Sequence, residues 1–292
     1  MKRNKHRKND PMQSCHTIET TRAVISMLRT GGKRIGFVPT MGFLHEGHLS
    51  LVRRAKEVSD HVVVSIFVNP TQFGNPADLE KYPRNTEGDL ALLRTEGVDL
   101  VFLPDVNDIY PEGAETIVET TVLANMLHGL VRPGHFRGVT TVVNKFFNII
   151  QPDVAVFGEK DFQQLAVIRK MVRDLHIPIE IIGGKTLRDP DGLAMSSRNV
   201  RLSHDDRLAA LALNQSLDIA QNMVLRGTTV EMVEAAISGH ISAEPRATLR
   251  AVDICDADTL TPLKGPITGP IAFMISAEFG GILLIDQRVV TP

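Results

Sequence analysis

Five short apolar runs, separated by segments with helical periodicity, constrain the fold of this chain more than any other feature. They are rich in Val, Ile and Phe and lie at 34–39, 62–68, 98–103, 153–157 and 179–182. A continuous apolar run of this length is typical of a strand buried on both faces, and alternation with helices is typical of parallel strands. We therefore predict an α/β fold whose parallel sheet is covered by helices on both sides.

The segments between and after these runs predict the rest of the fold. Two apolar stripes at helical spacing predict a core helix and a later crossover helix; they are Val139, Val142, Val143, Phe146, Phe147 and Ile150, and Leu165, Ile168, Val172 and Leu175. After about residue 188 the pattern changes to an Ala/Leu-rich helical stretch over 204–226, then to alternating residues around the hairpin signal Gly280-Gly281. We predict a sheet domain over 17–188 and a smaller C-terminal α+β domain over 189–292.

Composition is that of an average soluble globular protein. Of the 292 residues, 43% are hydrophobic and 23% charged, with 32 basic against 34 acidic side chains, which excludes a disordered chain and a nucleic-acid binder. The basic start "MKRNKHRKND" lacks apolar periodicity, so we predict a disordered tail over 1–16. Cys15 and Cys255 lack zinc or disulfide spacing, and no apolar stretch approaches the ~20 residues of a membrane span. We expect reduced thiols and a cytoplasmic protein.

The stretch "TMGFLHEGHL", residues 40–49, is the first candidate for chemistry. It follows the first predicted strand, contains Gly42 and Gly47, and leads into a predicted helix, so backbone N–H groups favour an anion there. His45 and His48 could also bind zinc, but no carboxylate or cysteine at ligand spacing completes such a site. A third interpretation, in which the histidines cap the helix or pack in the core, stays open.

Three further loops follow buried strands or the domain junction and carry side chains suited to small anionic ligands. Asn69 and Gln72 offer amides in "FVNPTQFG", Lys160, Asp161 and Gln164 lie in "FGEKDFQQL", and Ser196, Ser197 and Arg198 lie in "DGLAMSSRN". The first two loops have a plain alternative, a turn at Asn69-Pro70 and an N-cap at Asp161. Ligands of open α/β sheets bind at the carboxyl ends of strands, so several such loops together favour one phosphate-binding site.

Other candidates are less decisive on sequence grounds. Arg132, His135 and Arg137 in "RPGHFRGVTT" fit a ligand contact, a subunit contact or a solvated turn. Asp89 fits a Mg²⁺ ligand near phosphates, or an ordinary acidic residue in the first turn of a helix. Tyr82 is interpreted as a half-buried loop residue.

These motifs together resemble a known family. "PTMGFLHEGH" is similar to the signature of nucleotidyltransferases related to class I aminoacyl-tRNA synthetases, and "MSSRN" resembles their second loop. The order and spacing of "FVNPTQFG", "YPRN", "RPGHFRGV", "FGEKDFQQL" and "DGLAMSSRN" resemble the pantoate–β-alanine ligases, over residues 17–290. The resemblance implies a Rossmann-like N-terminal domain, a C-terminal lid, a homodimer, and ATP-dependent condensation of pantoate with β-alanine that releases AMP and pyrophosphate.

The resemblance also implies roles for individual residues. ATP would be bound by Met41, Gly42, Phe43, Leu44, His45, Glu46, Gly47, His48, Gly158, Glu159, Lys160, Asp161, Met195, Ser196, Ser197 and Arg198, with Leu187 offering its backbone to adenine. His48, as proton donor, would act with His45, Lys160 and Arg198; Gln72, Asn69 and Gln164 would bind pantoate and β-alanine; and Asp89 would hold Mg²⁺ with ATP. The sequence departs from the usual pattern at Gly88, at 182–186 and at Gln287, and the missing acid at Gly88 weakens the Mg²⁺ assignment.

Overall fold

The computed structural model describes residues 11–292, whose N-terminal part forms a six-stranded parallel sheet in the order β1-β4-β3-β2-β5-β6. In chain order the elements are β1 Gln13–Cys15, α1 Ile18–Leu28, β2 Ile35–Thr40, α2 Glu46–Val58, β3 His61–Ile66, α3 Pro76–Glu80, α4 Thr86–Glu96, β4 Leu100–Phe102, α5 Val106–Ile109, α6 His128–Val131, α7 His135–Ile150, β5 Val154–Gly158, α8 Phe162–Asp174 and β6 Glu180–Gly184. The five predicted strands are confirmed as β2 to β6.

The C-terminal part is a smaller layer of helices on an antiparallel sheet. It contains α9 His204–Ala209, α10 Leu211–Leu225, α11 Val230–Ser242, β7 Ala247–Asp256, β8 Ile271–Phe279 and β9 Ile282–Val290. The strands pair in the order β7-β8-β9, and Gly280-Gly281 form the predicted hairpin turn, both with positive φ. The predicted α/β fold with a smaller α+β part is therefore confirmed.

The apolar runs form strands that are buried in the core. Val62, Val63 and Val64 of β3 are fully buried, as expected for a central strand covered on both faces. Helix α7 buries Val139, Phe146 and the rest of its predicted stripe against the sheet. One core cluster lies within 15–181 and another within 193–290, which agrees with a boundary near residue 189; that boundary stays a prediction.

Three sequence predictions need correction. The predicted tail over 1–16 reaches too far, because residues 13–15 form β1 beside β4; residues 1–10 lie outside the described part. The helical stretch over 204–226 is two helices joined at Ala210. Leu175 is 51% exposed because it follows the last residue of α8. Among residues 11–292, no helix is both long and apolar enough to cross a membrane.

Candidate active site

A cleft of about 220 Å³ opens at the carboxyl ends of the central strands, where the loops after β2, β3, β5 and β6 meet. Most of the residues predicted to bind ligands line this one cleft: Met41, His45, Gly47, His48, Asn69, Gln72, Gly158, Lys160, Asp161, Gln164, Leu187, Met195, Ser196, Ser197 and Arg198. The segment 195–198 reaches the cleft from the C-terminal side of the 189 boundary. The topology thus brings four separate loops to one place.

His45 and His48 stand at the first turn of α2, where each ring is fixed by a backbone N–H. His45 Nδ1 accepts from Gly47 N at 3.1 Å, and His48 Nδ1 accepts from His45 N at 3.3 Å. The rings lie 4.1 Å apart between centroids. A Cβ at Gly47 would come within 2.8 Å of His45 Cε1, so glycine permits this packing. Because both Nδ1 atoms accept, the neutral rings carry their proton on Nε2 and can donate from there.

Burial keeps both imidazoles neutral. Desolvation, followed by the nearby Lys160 charge, lowers the pKa of His45 to about 4, and desolvation with the neighbouring His45 lowers the pKa of His48 to about 3. Capping and ligand binding are therefore compatible interpretations, since the helix cap uses Nδ1 and leaves Nε2–H for the cleft. At neutral pH the pair acts as two uncharged donors.

The buried histidines predict that the protein loses stability in mild acid. The pKa is lowered to about 4 in His45 and His128 and to about 3 in His48 and His135, chiefly by burial. Unfolding restores values near 6.5, so the unfolded chain binds more protons between pH 4 and 6.5, and stability falls as pH drops through that window. Burial raises the pKa of Asp253 to about 6 and also raises that of Asp89, which opposes this effect, but these are two groups against four.

We expect the free energy of unfolding, measured in urea, to be a few kcal/mol lower at pH 5 than at pH 7.5. Each histidine contributes at most about 2 kcal/mol to this difference. Ordinary carboxyl groups have pKa values near 4, below the range from pH 5 to 7.5, so their protonation does not explain such a fall in the free energy of unfolding. Equal or higher stability at pH 5 would contradict the neutral, buried state of these rings.

The loop after β3 presents Gln72 to the cleft on a buried frame of hydrogen bonds. Asn69 Nδ2 donates to Gln72 Oε1 at 3.0 Å and to Gly138 O at 3.2 Å, while Asn69 Oδ1 accepts from Thr71 Oγ1 and Tyr110 OH. A Cβ at Gly138 would approach Thr71 O to 2.6 Å, so α7 and this loop touch closely. Asn69 thus builds the predicted turn and orients the amide of Gln72, while its contact with a ligand stays a prediction.

Positive charge concentrates around Lys160, Arg132 and Arg198 in the cleft. Burial and the Arg198 charge lower the pKa of Arg132 to about 10, because a second cation lies nearby. Burial alone would raise the pKa of Asp161, but Lys160, followed by His135, Arg198 and Arg132, outweighs it and lowers that pKa. Lys160, Arg198 and Arg132 thus lie near Asp161, and Asp78 pairs with Arg198, so this end of the cleft is positively charged and favours an anionic ligand.

The segment 195–198 closes one wall of the cleft. Ser197 Oγ donates to Phe43 O at 3.1 Å, which ties this segment to the loop after β2. Arg198 and Arg201 both reach Asp78, at 3.0 and 2.8 Å, and the Arg198 guanidinium lies 5.7 Å from the centre of the Tyr82 ring. Leu187 O accepts from Met195 N at 3.0 Å, so the two predicted nucleotide contacts are neighbours in a hairpin.

Several predicted contacts lie outside the cleft lining: Gly42, Phe43, Leu44, Glu46, Glu159 and Asp89. Glu46 forms an ion pair with Arg53 on the surface. Both oxygens of Asp89 are used by the protein itself, accepting from Phe43 N at 2.8 Å and Leu44 N at 2.7 Å. No group of three or more metal-ligating side chains occurs among residues 11–292. Asp89 therefore supports the loop, and its interpretation as a Mg²⁺ ligand stays a prediction.

Three residues line the cleft although sequence patterns assigned them no firm role. Tyr82 is only 6% exposed and Arg132 and His135 face the same space. His135 Nδ1 donates to Gln72 O at 2.9 Å, and its Nε2 accepts from Arg132 at 3.3 Å. The "RPGH" stretch was the available signal for Arg132 and His135, but its solvated-turn alternative could be discarded only once long-range packing was known.

The chain is similar to known proteins over nearly its whole length. A family model described as pantoate-beta-alanine ligase matches residues 13–289. A pantothenate synthetase from Agrobacterium fabrum is 49% identical over 280 residues, covering 96% of both chains, and one from Brucella anthropi is 49% identical, covering 96% of this chain and 97% of its own.

Solved structures give the same result. The pantothenate synthetase of Thermus thermophilus matches with a TM-score of 0.90 and 43% identity, over 96% of this chain and 100% of its own. The pantoate-beta-alanine ligase of Francisella tularensis, complexed with beta-gamma ATP and beta-alanine, matches with a TM-score of 0.80 and 35% identity, over 95% and 97%. Fold and sequence agree, and the chain belongs to the pantoate–β-alanine ligase family.

Proposed function

We propose that this ligase condenses pantoate with β-alanine at the expense of ATP, through a pantoyl-adenylate, and releases AMP and pyrophosphate. The observation that carries the proposal is the convergence in one cleft of neutral His45 and His48, cationic Lys160 and Arg198, and the fixed amide of Gln72. The first four suit a triphosphate, and the amide suits a small hydroxy acid. The beta-gamma ATP and beta-alanine in the complex of the Francisella relative support the same substrate set.

In the proposed first step, a carboxylate oxygen of pantoate attacks the α-phosphorus of ATP, and the bond from that phosphorus to the bridging oxygen breaks. Pyrophosphate leaves with the bonding electrons. Negative charge grows on the phosphoryl and leaving oxygens, so catalysis rests on positioning and electrostatic stabilisation. The Nε2–H groups of His45 and His48 and the charges of Lys160 and Arg198 supply it without any covalent enzyme intermediate.

In the proposed second step, the β-alanine nitrogen attacks the acyl carbon of the adenylate. The acyl–oxygen bond breaks, AMP leaves, and the nitrogen loses a proton to solvent or to the departing phosphate. Gln72 and Gln164 line the cleft for pantoate, and the partly buried Arg132, which also lines the cleft, suits the β-alanine carboxylate. A closed cleft excludes the water that would hydrolyse the adenylate.

We propose that Mg²⁺ enters as the counter-ion of ATP rather than as a resident metal. Asp89, the residue expected to hold it, uses both carboxylate oxygens on backbone N–H groups. The cations that face the phosphates in the proposal are Lys160 and Arg198. No step above depends on a protein ligand to the metal.

AMP release with pantoate and β-alanine omitted in turn tests the proposed function. The ligase releases AMP only when both acids and ATP are present. Pyrophosphate release with retention of the nucleotide on the product would instead indicate an enzyme that stops at nucleotidyl transfer. ATP binding without turnover would indicate a non-catalytic nucleotide-binding protein.

Substitution of Gln72 by Ala is expected to weaken pantoate binding. The amide is held by Asn69 and lies in the cleft, so its loss removes hydrogen bonds to hydroxyl or carboxylate groups. We expect the KM for pantoate to rise roughly tenfold or more, as for one to two lost hydrogen bonds to a charged group, with a smaller change in the KM for ATP. Gln221→Ala, on α10 outside the cleft, is the control; unchanged pantoate saturation in Gln72→Ala would contradict the assignment.

We also propose a homodimer, as the resemblance implies. Large apolar side chains are exposed along one stretch: Ile117 at 58%, Val122 at 76% and Leu130 at 71%. Such a surface is typical of a subunit contact. Light scattering coupled to size exclusion measures the mass directly, and a monomer at micromolar concentration would contradict the proposal.

A further inference from the structure

A buried ion pair links the nucleotide-facing wall of the cleft to the last strand of the C-terminal sheet. Arg188 donates to Asp286 through Nη1 at 2.6 Å and through Nη2 at 2.9 Å, a bidentate pair. The Asp286 side chain is 1% exposed and that of Arg188 is 22% exposed. Asp286 belongs to β9, whereas Arg188 lies in the hairpin that follows β6, so the contact joins elements 98 residues apart.

A second contact from β9 lies beside the first. Gln287 Nε2 donates to Thr186 Oγ1 at 3.2 Å, and Gln287 N donates to Asp286 Oδ1 at 2.7 Å. Thr186 and Leu187 line the cleft. The side chains on both sides of Leu187, those of Thr186 and Arg188, are therefore held by two consecutive residues of one strand.

The same strand touches the other nucleotide loop. Strand β9 packs against the Glu159–Asp161 turn, which carries Lys160. One strand thus contacts the two segments that follow β5 and β6, both at the carboxyl edge of the parallel sheet. A displacement of β9 would move both walls of the proposed nucleotide site.

We propose that Asp286 is a positioning residue for ATP. It acts through its bidentate pair with Arg188 to fix the 186–188 segment, beside the contact from the Gln287 side chain to Thr186, so that the C-terminal sheet and the adenine-facing wall keep one relative position. The inference rests on the proposed function, because it takes 186–188 as a wall of the ATP site. Loss of this anchor weakens ATP binding without removing any group that acts on the reacting atoms.

The test is Asp286→Asn, with Asp218→Asn as matched control. Asp218 pairs with Arg288 of the same strand at 2.6 Å but lies outside the cleft. We expect Asp286→Asn to raise the KM for ATP roughly tenfold or more, within the range of coupling between sites, while kcat and the KM for pantoate change less than about threefold. Asp218→Asn leaves all three unchanged. A merely structural role would lower the melting temperature without this split between KM and kcat.

Asp286→Asn leaves the Arg188 guanidinium without its carboxylate partner, which can unfold a protein. A second variant therefore replaces both members of the pair. Arg188→Met with Asp286→Leu replaces both charges by apolar groups, a change that is often neutral for stability. We expect this double variant to fold and still to bind ATP weakly, measured by calorimetry with a non-hydrolysable analogue. Wild-type ATP affinity in either variant would overturn the inference. Absence of substrate-dependent AMP release in the unmodified protein would instead count against the proposed function.

Discussion

Replacement of His48 by Ala is expected to slow adenylate formation by roughly 10²–10⁴-fold, as loss of one transition-state donor or acid does. The ring is partly buried at the start of α2, its Nδ1 accepts from the His45 backbone N–H, and desolvation lowers its pKa to about 3. Its Nε2–H is thus a fixed, uncharged donor in the cleft. Stopped-flow measurement of pyrophosphate release with ATP and pantoate alone isolates this step.

His48→Gln and His16→Ala sharpen this prediction. Gln places an amide N–H near the position of Nε2, so it should retain more activity than Ala if donation is the role. His16 is exposed and lies before α1, so its loss should leave the rate unchanged. Wild-type pyrophosphate release in His48→Ala, or no difference between the Ala and Gln variants, would refute the assigned role.

Replacement of Lys160 by Met is expected to lower kcat by roughly 10²–10³-fold, because a preorganised charge facing the phosphates stabilises the transition state more than bound ATP. Lys160 lies in the turn after β5 and lines the cleft beside Asp161. Removing it leaves the buried Asp161 with fewer cations and makes the phosphate end less positive. The KM for ATP should change less than kcat, since the charge acts mainly as negative charge develops.

Lys160→Arg and Lys170→Met complete the test. The Arg variant keeps the charge and should recover part of the rate. Lys170 lies on the exposed side of the following helix α8 in an ion pair with Asp174, so Lys170→Met should be silent. If Lys160→Met and Lys160→Arg are equally slow, geometry rather than charge decides, and the electrostatic role is contradicted.

The parallel sheet could be predicted because strands buried on both faces leave continuous apolar runs, which here alternate with helical segments. Strand β1 could not, since "QSC" carries no pattern and gains its order only by pairing with β4. The clustering of four loops followed from a general rule about the carboxyl edge of parallel sheets. The resemblance then supplied the chemistry, and the geometry decided which residues reach the cleft.

For three residues, the role could be seen only in the folded structure. Arg132 and Tyr82 reach the cleft through packing between distant segments, which local spacing does not encode. The loop-supporting role of Asp89 could not be predicted, because a carboxylate that accepts from backbone N–H groups and one that binds Mg²⁺ look the same in sequence. Its partners depend on positive φ at Gly42 and Phe43, +80° and +50°, a feature of the folded loop.

The hydrogen bonds that Asp89 accepts from Phe43 N and Leu44 N have a consequence for the affinity for ATP. Together with the bond from Ser197 to Phe43 O, they hold the loop after β2 in one shape within the protein itself. Ordering a free backbone residue costs about 1–2 kcal/mol of conformational entropy, which would otherwise be subtracted from ligand binding. Folding has already ordered this loop, so we expect ATP binding to require no further ordering of it. Asp89 would therefore strengthen ATP binding from outside the cleft.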